Sequence, residues 1–136
     1  MMGAMKRGFT LMEIMITVVI LGMILSFALP GFLNAMEKNM SVEATSTLIT
    51  LLGAERRWSL DNAGAFTNNI NNLDIQLPAL SNFCAPVLNT VNPIVSLGRK
   101  SNAGDCVGIQ YTLAITSAGV VSCANGTSTI CGKLGY

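Results

Sequence analysis

The chain has 136 residues, 51% of them hydrophobic and 11% charged, against roughly 25% charged in an average soluble domain. That length holds one small domain and one membrane helix, and a formal charge of +1 points to neither nucleic acid nor an acidic substrate. With no histidine in the chain, a His-based triad or proton shuttle is excluded, and no phosphate-binding glycine loop stands out.

Residues 1–8 are short, basic at Lys6 and Arg7, and have no apolar region of their own. From Ile14 to Met36 no side chain is charged. As a helix those positions reach roughly 35 Å, enough to cross a hydrocarbon core of about 30 Å with some tilt. A secretory signal has an apolar region of about 7–15 residues followed by a small-residue cleavage site, and this run is too long for one. A plain anchor, oriented by Lys6 and Arg7 on the cytoplasmic side, leaves Glu13 unexplained. Even near the end of such a run a carboxylate prompts a search for its partner.

The segment Lys6-Arg7-Gly8-Phe9-Thr10-Leu11-Met12-Glu13, followed by the apolar run with Pro30 inside its end, resembles the cleavage and methylation segment of type IV prepilins and the related pseudopilins. The resemblance implies cleavage between Gly8 and Phe9 by a membrane peptidase that also methylates the new N-terminus. Removing Lys6 and Arg7 would leave six basic against seven acidic side chains. It further implies a homo-oligomeric helical filament, built at an assembly platform from subunits held in the inner membrane by lipid, with the filament extracellular once assembled. Glu13 would then govern assembly, pairing either with its own terminal amine or with that of the next subunit. The organisation expected is a leader (residues 1–8), a transmembrane and assembly helix (residues 9–31) and a globular pilin domain (residues 32–136).

The helix starting at Phe9 is rich in β-branched residues, which lipid tolerates. Gly22 and Pro30 are its weak points, because proline removes a backbone hydrogen bond and clashes with the preceding turn. A kink or local melting between Gly22 and Gly31 is expected. Beyond it, Met36, Met40, Ala44, Leu48, Leu51, Leu52 and Trp58 recur at helical spacings among charged residues. One helix to about Leu60 follows, with the methionines in the core and Glu55-Arg56-Arg57 on a solvated face. Asp61-Asn62-Ala63-Gly64 stops it, Asn and Gly supplying left-handed geometry. The stretch from Arg57 to Thr67 resembles the helix-to-loop junction of many pilins, and residues 68–82 read as loop.

The sheet begins within residues 83–97, where Pro86 and Pro93 limit strand length. Residues 107–116 alternate as one clear strand, whose odd positions Val107, Ile109, Tyr111, Leu113 and Ile115 should cover the helix. Ser117-Ala118-Gly119 turns the chain, residues 120–124 return antiparallel, Asn125-Gly126 is a hairpin signal, and residues 127–131 make a last strand. The fold class is α+β, a long N-terminal helix packed on a small antiparallel sheet.

Cys84, Cys106, Cys123 and Cys131 all lie in the terminal domain. In a small exported domain without Cys-x-x-Cys they argue for disulfides over metal, with free thiols as the alternative. Three connectivities are open. Cys84 with Cys106 and Cys123 with Cys131 close local loops, the second resembling the C-terminal disulfide loop of many pilins. A tight turn at Asn125-Gly126 would instead set Cys123 opposite Ser128, so that bridge needs a wider loop or a shifted register. Neither cofactor nor metal is expected, and the chain reads as a structural subunit of a type IV pilus, not an enzyme. A pseudopilin of a type II secretion system and a non-polymerising membrane-anchored binding module are the alternatives.

Overall fold

The structure is a computed structural model that describes residues 8–101, 104–124 and 128–136. The chain divides into two compact units, Met1–Met36 and Glu37–Tyr136. Helix α1, Leu11–Asp61, begins in the first and ends in the second. It runs through Gly22 and Pro30 without a break, where melting is one of the two outcomes the sequence anticipates. A single proline withdraws one N–H from the helix, and the apolar turns on both sides remain helical.

In the second unit α1 buries Ser41, Ala44, Thr47, Leu48, Leu51, Leu52, Ala54 and Glu55, one helical face at spacings of three and four. That face covers a four-stranded antiparallel meander of β1 (Val87–Leu88), β2 (Val95–Gly98), β3 (Thr112–Ile115) and β4 (Val121–Ala124), in that order. Leu97 pairs with Leu113 and Val95 with Ile115, so the buried side chains of the two central strands stack in rows against Leu48, Leu51 and Leu52. Met40 and Trp58 pack at the margin of this core. Met36 stays exposed, contrary to the core position expected for it.

The strand expected over residues 107–116 forms only as β3. Gly104 and Gly108 adopt positive φ, and Cys106 is bonded to Cys84, so residues 104–110 form an irregular loop. Val107 is 79% exposed while Tyr111, Leu113 and Ile115 are fully buried. Ile109 folds back beside Gly98, where an added Cβ would lie 2.8 Å from its terminal methyl.

The last strand expected over residues 127–131 is instead helix α2, Ser128–Leu134. Ile130, Cys131 and Leu134 share one face and pack on the core, Lys133 sits in the last turn where the helix dipole favours a cation, and Gly135 follows at φ 91°. The Asn125-Gly126 turn lies outside the described residues. The end of α1 is also modified: Ala63 and Gly64 take left-handed conformations, while Asn62 stays out of that region and donates its amide to the Trp58 carbonyl at 2.9 Å. Gly64 N–H closes the helix on the Ser59 carbonyl at 2.7 Å.

Candidate functional site

Two groups of residues matter, one in each unit. In the first, Gly8, Phe9 and Thr10 precede α1. The Thr10 hydroxyl accepts from the Glu13 backbone N–H at 3.3 Å. Thr10 and Glu13 thus have the spacing of a capping box, in which a hydroxyl holds the N–H three residues on. Sequence reading assigned Glu13 to assembly and overlooked the Thr10 cap, although a threonine just before an apolar helical run signals it. Phe9 is 80% exposed, and the large apolar residues between it and Met36 are exposed throughout.

Two hydroxyls in that run are satisfied by the helix itself. Thr17 donates to the Ile14 carbonyl and Ser26 to the Met23 carbonyl, both at 2.8 Å, which leaves neither hydroxyl needing water. From Ile14 to Leu33 α1 therefore presents a mainly apolar surface. The helix is long and apolar enough to cross a membrane, and its one carboxylate before Met36 lies in the first turn.

In the second unit, Glu37 in α1 is the hub of a network. Arg99 Nε donates to its Oε1 at 2.9 Å and the Tyr111 hydroxyl to the same oxygen at 2.7 Å. Arg99 also reaches the Asn82 carbonyl and the Met40 sulfur and lies 5.9 Å from the Phe83 ring centroid. Burial opposes ionisation of Glu37, yet the two hydrogen bonds and the Arg99 charge outweigh it and hold the carboxyl below the usual range. Burial, with the Glu37 hydrogen bond, pushes the Tyr111 phenol up.

Glu55, expected on a solvated face, is fully buried. Its Oε2 accepts from the Thr67 N–H at 3.0 Å, while Oε1 has no partner among the described residues. Burial raises its pKa and the Thr67 bond only partly offsets this. Thr67 in turn accepts from Asn69 N–H and the Asn72 amide, so Glu55 anchors the loop leaving α1. Arg57 and Asp74 form an exposed ion pair at 2.7 Å, and Arg56 donates to the Ser117 carbonyl.

Disulfides join Cys84 to Cys106 and Cys123 to Cys131. The second runs from β4 to α2, so the facing of Cys123 with Ser128 across a hairpin does not arise. Asp61 and Asp74 line one cleft of about 340 Å³ with Arg57 and Trp58, whereas Asp105 bonds Ser101 in another loop.

A terminal glycine–phenylalanine junction, one carboxylate in the first turn and an exposed apolar helix define a prepilin-type N-terminal segment. Residues 3–29 match the family model described as the prokaryotic N-terminal methylation motif. It is 41% identical over 58 residues to the type II secretion system core protein G of Klebsiella pneumoniae, a stretch covering 43% of this chain and 41% of that protein. It is 38% identical over 64 residues to core protein G of Escherichia coli strain K12, covering 47% and 44%. The matches thus span about two fifths of these relatives' lengths. No solved structure matches the chain.

Proposed function

We infer that this chain is a structural subunit of a type IV pilus, cut between Gly8 and Phe9, methylated on Phe9, and polymerised through α1. The observation that carries the reading is the exposed, charge-free surface of α1 beyond a single first-turn carboxylate. Such a surface is stable in lipid or in a bundle of like helices, and packing between helices then requires close contact rather than exclusion of water. Before assembly the helix anchors the subunit in the inner membrane. On assembly the amine created at Phe9 meets the Glu13 of the subunit ahead, neutralising both charges within an apolar bundle.

A second reading, a pseudopilin of a type II secretion system, is favoured by the likeness to core protein G. Filaments that extend beyond the cell support the pilus, and filaments confined to the envelope support the pseudopilin. The test of polymerisation itself is Glu13→Ala. The variant should be processed and accumulate in the membrane, yet its sheared-filament yield relative to membrane abundance should fall by about tenfold or more. Removing one partner of a buried ion pair is strongly destabilising, and the loss repeats at every subunit. A normal ratio removes Glu13 from assembly.

A further inference from the structure

Two features of the Glu37–Tyr136 unit complement each other. The first is an apolar groove of about 370 Å³ lined mainly by Leu77, Pro78, Leu80, Phe83 and the Cys84–Cys106 bridge, with Lys100 as its one charged residue. Lys100 Nζ donates to the Leu80 and Ser81 carbonyls at 3.3 and 2.9 Å, and no carboxylate pairs with it among the described residues. An ammonium has three donors, so one is left to face an anion.

The second feature is the tip of α1. Leu60 is 84% exposed and stands beside Asp61, an exposed carboxylate on the final residue of the helix. The helix dipole disfavours a negative charge there, and the last turn holds no basic residue. Arg57, one turn earlier, gives its guanidinium to Asp74. Asp61 has no ion pair among the described residues.

We propose that the groove at Lys100 receives Leu60 and Asp61 of a second copy of this chain, Leu60 entering the apolar trough and Asp61 pairing with Lys100. The two patches are built from different residues of the unit. Lys100 N–H bonds the Asn82 carbonyl, which also accepts from Arg99, and Arg99 grips Glu37. Glu37 is 24 residues before Asp61 in α1, about 36 Å along the helix. A contact between two different patches is heterologous, so it repeats from copy to copy and builds an open filament rather than a closed dimer. This inference rests on the filament reading above and names a contact between its surface domains.

The experiment uses full-length chains in their own assembly system, with wild-type filaments as the reference. Asp61→Lys and Lys100→Glu should each lower the ratio of sheared filament to membrane-held subunit by about tenfold, since like charges then meet at every contact. The double variant Asp61→Lys/Lys100→Glu should restore it. Because Lys100→Glu also loses the bonds to Leu80 and Ser81, a second measurement avoids that site: Leu60→Cys/Ala79→Cys filaments, on oxidation, should give a ladder of covalent multimers. Normal filament yield from both single variants, or the absence of a ladder from assembled filaments, overturns the contact while leaving polymerisation intact. Loss in Lys100→Glu that Asp61→Lys does not rescue assigns the groove to another anionic occupant and equally overturns it. Wild-type chains that form no filament at all count against the filament reading instead.

Discussion

Glu37 and Glu55 place the same carboxylate in opposite electrostatic settings on one helix. Glu37 is gripped by Arg99 and Tyr111, and its pKa lies below the unfolded value. Its contribution to stability is therefore present above about pH 4 and lost as pH falls through the lowered folded value. Arg99→Met should destabilise the detergent-solubilised chain by about 1–3 kcal/mol, between the values for exposed and buried pairs, and weaken this acid-side loss. Denaturation midpoints across acid pH check it, and an unchanged slope below pH 4 would contradict the role given to Arg99. Glu55 behaves in the reverse sense. Its raised pKa means that its own contribution to stability is greatest below about pH 4 and is lost as pH rises through the folded value. Glu55→Gln keeps an acceptor for Thr67 N–H and removes the buried charge. It should gain on the wild type between about pH 4 and 7, so parallel stability curves over that interval would disprove the argument.

At the scale of elements, α2 and β4 hold together through one covalent bridge and a small apolar contact. Ile130 and Leu134 are its main core residues, and the Tyr136 hydroxyl meets Thr45 of α1 at 2.7 Å. Seven residues make too short a helix to stand alone in water. Cys123→Ser should therefore lower stability by about 2–5 kcal/mol and reduce subunit abundance while membrane insertion proceeds. Protease cleavage between β4 and α2, mapped by mass spectrometry, should appear in the variant first. Equal protection in both proteins would show that packing alone holds α2. The sheet needs no such help, because its central strands β2 and β3 bury Val95, Leu97, Leu113 and Ile115 completely.

For the whole molecule, the consequence to test is processing. With Gly8 at the scissile bond, its missing side chain lets the peptide enter the peptidase, and among the described residues a Cβ added there would meet nothing within 4 Å, so packing does not otherwise demand glycine. Gly8→Val should leave residues 1–8 attached, whereas the wild-type chain in filaments should begin at N-methylated Phe9. Intact-mass measurement distinguishes the two. A filament subunit that retains Lys6 would refute the cleavage position.

Local chemistry alone determined the N-terminal half of this protein. A charge-free run from Ile14 to Met36 and helical spacing through Leu52 leave the backbone little choice but α1, since each signal is periodic and lies within a few turns. The glycine–phenylalanine–glutamate spacing within the matched N-terminal methylation motif is equally local. Tertiary structure decided the rest wherever signals competed. Residues 127–131 read as a last strand, but Ser128–Leu134 is helix α2, with Ile130 and Leu134 packed on the core. Val107 and Ile109 continue the alternation of β3, yet the Cys84–Cys106 bridge and two left-handed glycines take them out of the sheet. Glu55 sits in a run of charges that reads as solvated, but its neighbours at 48, 51 and 52 turn that face inward, and a loop distant in sequence supplies the N–H of Thr67. Partners such as Arg99 and Tyr111 for Glu37 lie 62 and 74 residues away. Sequence spacing carries no record of such pairings, because only packing of the helix on the sheet brings them within hydrogen-bond reach.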